Sequence, residues 1–545
     1  MNKILSALLV LCAPLAGMAQ AQEHLLWSTS ELQPGSQANE HISGATDAAG
    51  NTYTIDLTQD ATDFHLTYRF YRYAPDGSKQ WSFANSTYFT DSQDKYYLVV
   101  PVDNNGAIFI GVYDDVANNR QLRIKRIGLD GGLMWQQNWA FPYAWMTPAK
   151  AMLDGNGRLV VGATIQTTAT ATDDFGVAVF DTANSGALVW ETVIPDGGSG
   201  VFNLFEQLSD LSLDAANNIY GCGIGSNGFT GNARNYYFRL NPAGSMDYKL
   251  STSAAAPAAR VLRARPDAGG NLFLLTTADN TIAVEKKAAT TGLAINGAAL
   301  THDSASLEAA DMIVANGSVY VLGNYRYSIP DSSFAGSHLT NRRFFVSRMD
   351  TACALLWQQG LLDDLHVDTP DVTGNGATQL AYTPGGIYAV ANVARENTTL
   401  LTGLARMDAT TGTTLWYDTV TATYGNQHLA VDAAGDAYLS RSVLGGALTS
   451  LVQRFSQATT ATSGPGIARV AAVAFPNPAT GMVRVSVAGA GGMGWRLYSA
   501  TGAVLRSGAS AAPAFDVDVS TLPAGIYCLM LEGQNWNAAL KIQKL

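Results

Sequence analysis

The sequence predicts an all-β protein, and three observations along its 545 residues support that fold class. A turn motif followed by an aromatic or branched residue occurs eight times, at intervals of about 50 residues, the repeat length of a four-stranded propeller blade. A tryptophan-type motif accompanies it in seven repeats, and residues 470–545 contain strands in which apolar and polar residues alternate. Together these features predict an eight-bladed β-propeller closed by an N-terminal strand, followed by a small C-terminal β-sandwich.

The first 21 residues have the pattern of a signal peptide. Lys3 precedes an apolar run from Ile4 to Leu15, and Ala19-Gln20-Ala21 offers the small-x-small sequence at which such peptides are cleaved. The run is too short to span a bilayer, and no later segment has the length that a transmembrane helix requires. Residues 1–21 are therefore predicted to direct export into the periplasm and to be removed.

Residues 22–456 make up the predicted propeller, and their first ladder places a turn residue three positions before an aromatic or branched residue. In six repeats an Asp stands three positions before the turn residue, where its carboxylate can accept backbone N–H groups while Gly or Asn adopts the left-handed conformation. The motif predicts a tight hairpin turn at the same place in every sheet. Its eight occurrences are Gly50/Tyr53, Gly106/Phe109, Gly157/Val160, Asn217/Tyr220, Gly270/Phe273, Gly317/Tyr320, Gly385/Tyr388 and Gly435/Tyr438.

A second ladder places Trp four residues after a turn glycine, as in Gly131/Trp135 and Gly412/Trp416. The eighth repeat, which begins near Gln427, has no such strand, whereas a similar Leu-Leu-Trp sequence ending at Trp27 precedes the first turn motif. A propeller can close its circle by giving the last blade a strand from the N-terminus, which removes exposed sheet edges. We therefore predict that Trp27 completes the eighth blade.

The units Asp408–Trp416 and Asp181–Trp190 resemble the tryptophan-docking repeat of the quinoprotein dehydrogenase-like propellers. That family contains redox enzymes that use pyrroloquinoline quinone and scaffold proteins that have no cofactor. The adjacent-cysteine pair of the enzymes is absent from this sequence, and no residues match their quinone and calcium ligands. The resemblance therefore implies the repeat fold, with large aromatic side chains packing between blades, and we predict no cofactor.

Residues 470–545 follow a Thr/Ser/Gly linker, residues 457–469, and carry four short motifs in a fixed order. These read FPNPA at 475–479, LYSATG at 497–502, LPAGIY at 522–527 and KIQKL at 541–545. Between them, the alternation at Val483, Val485 and Val487 is typical of strands with one buried face.

In this order the motifs resemble the C-terminal sorting domain of cargo exported by the type IX secretion system of Bacteroidetes. The resemblance implies a small β-sandwich that the export machinery recognises, and it implies secretion or display at the outer-membrane surface. The residues to which we assign the sorting signal are Pro476, Asn477, Pro478, Gly502, Leu522, Gly525, Tyr527, Lys541 and Lys544.

Charge and cysteine content exclude several classes of partner and site. Charged residues make up 14% of the chain, against about 25% in an average protein, and the formal net charge is −11. An acidic chain without basic clusters is not expected to bind nucleic acid or an anionic membrane. Cys12 lies in the predicted signal peptide, which leaves Cys222, Cys353 and Cys528. These three are far apart and odd in number, so we predict free, buried or partly buried thiols rather than a disulfide framework or metal site.

No motif predicts catalytic or metal-binding residues. The seven histidines are scattered, HExxH and GxSxG are absent, and the GxGxxG match at Gly223–Gly228 leads into a loop and another strand rather than a helix. Residues that converge only in three dimensions escape this kind of search. Asp103–Gly106 and Asp154–Gly157 resemble fragments of calcium loops but lack the closing acid, so one structural Ca²⁺ is the alternative to no metal.

Aromatic residues accumulate in loops that a propeller of this order would bring to one face. Flat aromatic rings can stack on sugar rings or anchor a protein partner. The alternative is that the same side chains pack beneath their own long loops. The predicted ligand-binding residues are Trp139, Phe141, Tyr143, Trp145, Tyr96, Tyr97, Tyr325 and Tyr327.

The sequence thus predicts a secreted or surface-displayed propeller that uses the type IX machinery as its export partner. Its predicted role is non-catalytic recognition of an extracellular polysaccharide or protein. The alternatives are an enzyme built on the propeller, either a quinone-dependent oxidoreductase or a glycan-cleaving enzyme, and a structural surface-layer component.

Overall fold

The protein is represented by a computed structural model. It describes residues 24–31, 36–62, 66–84, 94–114, 120–139, 145–166, 173–194, 204–227, 233–252, 260–278, 281–302, 305–330, 338–361, 376–395, 399–421, 423–444, 448–457, 468–469, 472–475, 479–487, 493–499, 504–532 and 536–544. Every regular element formed by these residues is a β-strand. The chain divides into two compact units, Met1–Thr459 and Thr460–Leu545. The predicted signal peptide lies outside the described residues.

The first unit contains strands β1 to β32. They are β1 (Leu25–Glu31), β2 (Ser36–Thr46), β3 (Thr52–Asp60), β4 (Leu66–Tyr73), β5 (Lys79–Ala84), β6 (Lys95–Pro101), β7 (Ala107–Asp114), β8 (Arg120–Ile127), β9 (Leu133–Trp139), β10 (Trp145–Leu153), β11 (Leu159–Gln166), β12 (Asp173–Asp181), β13 (Ala187–Ile194), β14 (Leu204–Leu213), β15 (Ile219–Asn227) and β16 (Ala233–Leu240). The remainder are β17 (Met246–Thr252), β18 (Arg260–Pro266), β19 (Leu272–Ala278), β20 (Thr281–Lys287), β21 (Ala294–Leu300), β22 (Ser306–Ala315), β23 (Ser318–Pro330), β24 (His338–Asp350), β25 (Leu355–Leu361), β26 (Gly376–Thr383), β27 (Gly386–Arg395), β28 (Thr399–Met407), β29 (Thr414–Thr421), β30 (Thr423–Val431), β31 (Ala437–Leu444) and β32 (Leu448–Phe455).

These strands form a repeated antiparallel sheet of four. Beginning at β2, each consecutive set of four strands pairs in chain order, and β30, β31 and β32 form the last sheet together with β1. The first strand of each sheet contacts the first strands of the sheets before and after it, and β30 contacts β2. The first strands therefore enclose a common centre, called the central channel below, and the sheets form a closed circle.

The circle closes where the sequence analysis placed its N-terminal strand. Strand β1 pairs antiparallel with β32, with Trp27 opposite Arg454 and Glu31 opposite Ser450. The indole N–H of Trp27 donates to the carbonyl of Pro75, 2.8 Å away, in the next sheet. The fourth strand of the last sheet thus comes from the other end of the unit.

The hairpin turns explain the first ladder. One carboxylate oxygen of Asp47 accepts the backbone N–H groups of Ala49 and Asn51 at 3.0 and 2.8 Å, and Gly50 has a φ of 86°. A positive φ favours glycine because a side chain would clash there. Asp214 accepts the equivalent bonds, and Asn217 takes the left-handed position at 63°.

The second ladder packs neighbouring sheets together. An added Cβ at Gly77 would lie 2.7 Å from the indole of Trp27, and one at Gly186 would lie 2.6 Å from Trp135, so only glycine leaves room for these rings. The turn glycine of the following sheet thus lies against each of five indoles, those of Trp27, Trp81, Trp135, Trp190 and Trp357. The tryptophans are packing residues between sheets, as the sequence analysis expected.

The second unit contains two small sheets on one apolar core. Strands β33 (Ala468–Arg469), β36 (Met493–Tyr498), β37 (Val504–Ser510), β39 (Gly525–Glu532) and β40 (Trp536–Lys544) form one sheet, in the order β33, β40, β39, β36, β37. Strands β34 (Ala472–Phe475), β35 (Met482–Val487) and β38 (Ala514–Asp518) form the other. Val483 and Val485 from one sheet pack with Leu497 and Leu529 from the other.

Candidate functional site at the centre of the circle

One register position in the first strands carries polar side chains in most sheets. Each residue there pairs with the residue two positions after the aromatic or branched residue of the turn motif, for example Lys150 with Gly162 and His428 with Ser440. A β-bulge lies within two residues before each position, and such bulges re-aim side chains. We call this set the central belt: Ser43, Lys150, Asp210, Arg263, Asp311, Gln379 and His428.

Three belt side chains accept hydrogen bonds from backbone N–H groups of the neighbouring first strand. The carboxylate of Asp210 accepts the backbone N–H of Ala264 at 3.1 Å, and that of Asp311 accepts the N–H of Leu380 at 2.9 Å. The side-chain carbonyl of Gln379 accepts the N–H of Leu429 at 2.6 Å. The belt is therefore held in place by backbone groups of the adjoining sheets.

Both belt carboxylates are also paired with arginine. Nε of Arg263 lies 2.7 Å from Asp311 Oδ1, and Arg265 pairs with Asp210. Cys222, a free and fully buried thiol, lies opposite Asp210 in the next strand. Its burial as a free thiol agrees with the sequence analysis, and that burial raises the pKa of Cys222 well above its ordinary value.

Lys150 differs from Asp210, Arg263 and Asp311, the other charged belt residues, each of which is paired with an opposite charge. It makes no hydrogen bond or ion pair to any residue that the structure describes, and its side chain is exposed. Desolvation nevertheless lowers the pKa of Lys150, against the charges of Asp210 and Asp311, since the chain surrounds the group on many sides. The side chain of Lys150 is exposed although protein surrounds it, because it faces the central channel, which solvent enters.

Two histidines and an aspartate form a hydrogen-bonded line on another side of the channel. His41 Nδ1 lies 3.2 Å from Asp56 Oδ1, and His41 Nε2 lies 3.2 Å from His428 Nδ1. Asp56 also accepts a 3.0 Å bond from the hydroxyl of Ser450. We call Asp56, His41 and His428 the histidine relay; Asp56 and His41 are fully buried, while His428 is half-buried.

Burial dominates the ionisation of the relay. It raises the pKa of Asp56 to about 8, although Ser450 and Asn39 hydrogen-bond to the carboxylate. It lowers the pKa of both His41 and His428 to about 3. Strongly shifted titratable groups that converge beside a cavity are typical of functional sites.

The relay assembles only where the circle closes, because its residues come from the first and last sheets. Gly44 permits this approach, since an added Cβ there would overlap the hydroxyl of Ser440 and lie 3.1 Å from the ring of His41. No local spacing in the sequence relates His41 to His428. Aligning the repeats on the turn motif would have placed His428 at the same position as Lys150 and Asp210.

The structure describes four of the eight predicted aromatic side chains, and two of these are buried in separate apolar cores. Trp139 is 3% exposed and donates its indole N–H to Glu191 at 2.7 Å, in one apolar core. Tyr96 is fully buried in another core and donates its hydroxyl to Asp94 at 2.9 Å. Both rings are enclosed by protein.

The other described aromatics are half-buried. Tyr97 packs against the core of Trp139, and Tyr325 lies between His302 and Phe345, with ring centroids 4.8 and 4.5 Å away. Trp145 and Tyr327 belong to β10 and β23, but their side chains lie outside the described ones, as do Phe141 and Tyr143 entirely. Ligand binding by this set stays a prediction.

The sorting residues that the structure describes lie in the second unit. Tyr527 is buried and donates its hydroxyl to the carbonyl of Pro523 at 2.7 Å, while Leu522 packs against the same core. Gly525 begins β39, and Lys541 and Lys544 lie on β40. Pro476, Asn477, Pro478 and Gly502 lie outside the described residues.

Within the described part of the chain, no three His, Cys, Asp or Glu side chains converge in a way that could hold a metal ion. At the calcium-like sequence Asp154–Gly157, the Asp154 carboxylate accepts the backbone N–H groups of Asn156 and Arg158 and the guanidinium of Arg158. The hydrogen bonds of the turn and the contact with Arg158 thus explain why an aspartate occurs at position 154. Of the residues described, none belongs to a helix able to cross a membrane.

Comparison with solved structures returns several β-proteins of low identity. PorZ, a surface component of the type IX secretion system of Porphyromonas gingivalis, is 13% identical, with 93% of this chain and 81% of that chain covered and a TM-score of 0.29. The polysaccharide lyase Uly1 is 10% identical, with coverage of 82% and 94% and a TM-score of 0.42. The β-propeller domain of the Trilobed protease from Pyrococcus furiosus is 7% identical, with coverage of 77% and 94% and a TM-score of 0.36. TM-scores below 0.5 support no inference about activity.

Sequence comparison identifies the second unit. No curated protein sequence matches the chain significantly. Residues 473–544 match the family described as the secretion system C-terminal sorting domain, in agreement with the order of motifs in the sequence. The protein therefore carries a type IX secretion sorting domain, which directs it to the cell surface or the extracellular medium.

Proposed function

We propose that this protein is an exported eight-bladed β-propeller that recognises an extracellular polysaccharide without cleaving it. The closed circle of four-stranded sheets supports the propeller, and the single core shared by the two small sheets supports a β-sandwich as the sorting tail. The inter-sheet packing of the tryptophans also supports the likeness to quinoprotein-type repeats, used here as a scaffold.

The central belt is the observation that carries recognition. It places hydrogen-bond donors and acceptors at one level around the channel, and neighbouring backbones hold three of them in fixed positions. Of these side chains, Lys150 is exposed and those of Arg263, Gln379 and His428 are half-buried, whereas Ser43, Asp210 and Asp311 are buried. Sugar hydroxyl groups both donate and accept hydrogen bonds, so a rigid set of both kinds of group suits them. Lys150 adds an exposed cation without a protein partner among the described residues.

The pairing of the belt carboxylates favours binding over hydrolysis. Glycoside hydrolysis needs one carboxyl group that holds a proton and a second that acts as base or nucleophile. Asp210 and Asp311 each accept a backbone N–H and each pair with an arginine. Groups engaged in this way are poor proton donors.

The test is binding of the labelled full-length chain to a polysaccharide array, with Lys150→Met as the channel variant. Lys79→Met serves as the control for the loss of a lysine elsewhere, because Lys79 is exposed on the outermost strand β5, where it pairs with Glu31 at 3.0 Å. We expect Lys150→Met to lose retention at an unchanged thermal midpoint, and Lys79→Met to keep retention at a lower midpoint because Glu31 loses its partner. Equal retention by both variants would overturn the channel as the binding site.

A protein ligand is the second candidate, because the outermost strands expose apolar side chains. Leu133 and Met134 on β9, Leu188 on β13 and Leu355 on β25 are all exposed. Outer strands also have an unpaired edge, which suits addition of a partner strand. Periodate oxidation of the target surface abolishes binding if the ligand is a polysaccharide, whereas protease digestion abolishes it if the ligand is a protein.

A further inference from the structure

The histidine relay ends in the channel with one unused nitrogen. Both ring nitrogens of His41 are engaged, one by Asp56 and one by His428. Nδ1 of His428 is used in the second of these contacts, so its Nε2 is the nitrogen that no described residue engages. His428 and Lys150 occupy equivalent belt positions, and the charge of Lys150 acts on His428.

The hydrogen bonds fix what His428 presents when the relay carries no extra proton. Asp56 is then a carboxylate and can only accept, so His41 donates from Nδ1. His41 Nε2 must accept, and His428 therefore donates to it from Nδ1. Nε2 of His428 is left with a lone pair that faces the channel as an acceptor.

One added proton reverses this direction. It resides on the carboxyl group of Asp56 or on the ring of His41, and in either case His41 carries hydrogen on Nε2 and donates to His428. The neutral ring of His428 then holds its own hydrogen on Nε2, as a donor toward the channel. The outcome depends on the number of protons in the Asp56–His41 pair and not on which of the two holds the proton.

We propose that His428 Nε2 and the ammonium of Lys150 together bind a carboxylate group of the ligand in the central channel, and that the proton shared by Asp56 and His41 switches this site on. The inference rests on the proposed recognition of a polysaccharide and specifies an acidic one, rich in uronic acids. Two donors match the two oxygens of a carboxylate, and such charge-assisted bonds are stronger than neutral ones.

Two charged or titratable groups interact with the relay. Tyr73 on β4 interacts with Asp56 and Glu31, and Lys150 on β10 acts on His428. Glu40 precedes His41 on β2, and Arg441 on β31 lies opposite Gln427, the residue before His428. Burial outweighs them and raises the pKa of Asp56 to about 8. The relay thus keeps its extra proton at neutral pH, and binding should weaken as the pH rises through about 8.

Deprotonation of Lys150 would also weaken binding as the pH rises. The experiment therefore has to separate Lys150 from the Asp56–His41 pair. Lys150→Arg keeps a positive charge throughout, because guanidinium does not deprotonate in this range. Asp56→Asn fixes the relay in its donating state, since the amide N–H₂ can donate to His41 Nδ1 at any pH. His302→Gln is the control, because His302 lies against Tyr325 away from the relay.

The experiment measures the affinity of the full-length chain for oligogalacturonate, and for its methyl ester, by calorimetry from pH 6 to pH 9.5. For the natural chain, Lys150→Arg and His302→Gln we expect a loss of about tenfold or more across pH 8, the value of one charge-assisted hydrogen bond. For the double variant Asp56→Asn with Lys150→Arg, in which neither group titrates, we expect tight binding with no pH dependence, and the ester should bind weakly throughout.

Nitrogen NMR of the histidine rings provides a readout that needs neither a variant nor a ligand. His428 should carry its hydrogen on Nε2 at pH 6.5 and on Nδ1 at pH 9.5. A tautomer change without oligogalacturonate binding would overturn acidic-polysaccharide recognition and leave the relay intact. A fixed tautomer, or a double variant Asp56→Asn with Lys150→Arg that keeps the pH profile of Lys150→Arg, would overturn the switch.

Discussion

The imidazole of His24 stacks on the indole of Trp416, with ring centroids 4.2 Å apart and planes 7° from parallel. In six other sheets a turn glycine lies against an aromatic ring of the preceding sheet, but the last sheet has no hairpin before its fourth strand, because that strand is β1. His24 occupies this place, and its backbone N–H donates to Asp418 at 3.2 Å. The circle is therefore closed by a stacked pair as well as by strand pairing.

Replacement of His24 by Ala should weaken this closure. We expect a loss of about 1 to 2 kcal/mol in the free energy of unfolding, from lost ring packing and apolar burial. Urea titration measures it, with Leu26→Ala as the control, because Leu26 lies on the same strand with an exposed side chain. Equal stabilities of the two variants would contradict a role of His24 in closure.

Gly44→Ala should strain the seam between the first and last sheets. The new methyl group would overlap Ser440, and overpacking of this kind costs about 1 to 3 kcal/mol. The double variant Gly44→Ala with Ser440→Gly should recover most of that loss, because it removes the atoms that clash. Thermal denaturation of the single and double variants checks the prediction, and additive losses would refute it.

The histidine relay should give the protein a stability maximum near pH 6.5. Below that pH the unfolded histidines bind protons that the buried ones, with pKa values of about 3, do not, so stability falls as the pH falls toward 4. From about pH 6.5 to 8 the folded chain keeps the proton of Asp56 that the unfolded chain has lost, so stability falls as the pH rises. Each slope is about 1.4 kcal/mol per pH unit at most.

Urea titrations across this range measure the two slopes. Asp56→Asn should remove the descending limb above pH 6.5 and steepen the limb below it, since the relay then has no acid that titrates. A natural chain with flat stability between pH 5 and pH 8 would show that burial does not control these groups.

Trp139→Ala distinguishes packing from ligand contact. Because its indole is buried and bonded to Glu191, we expect a loss of about 3 kcal/mol or more in the free energy of unfolding. Thermal denaturation is compared with retention on the polysaccharide array at a temperature where the variant is folded. Lost retention at an unchanged thermal midpoint would instead favour the aromatic binding face.

A chain that stops after Gly466 should remain in the periplasm, because it lacks the sorting domain at residues 473–544. Fractionation of the cells with immunoblotting measures the distribution between periplasm, surface and medium. The full-length chain and a periplasmic marker protein are the controls. An undiminished amount of truncated chain outside the cell would contradict the assigned role of this domain.

The repeated parts of the fold could be read from the sequence because each repeat carries its own local signal. The turn aspartates, the left-handed glycines and the tryptophans act on residues a few positions away, so their spacing is visible along the chain. The position of Trp27 followed from the one missing strand. The sorting tail was recognisable because its motifs occur in order.

The candidate site could not be predicted in the same way. His41 and His428 are hydrogen-bonded across the seam of the circle, and neither has a distinctive sequence neighbour. For Trp139 and Tyr96, the local composition predicted ligand binding, but both side chains are buried. Burial could not be predicted from the loops because it depends on packing with distant residues. The sequence shows the residue types, but it does not show the strand register that brings His41 and His428 together.

The pairing of β1 with β32 joins opposite ends of the first unit, so this contact is among the most distant along the chain. Such contacts form late, because a long loop must close before any pairing energy is gained. Until then β32 offers an open edge to the first strand of any copy nearby. Domain-swapped dimers, in which residues 24–31 of one copy complete the last sheet of another, are the expected by-product of concentrated refolding.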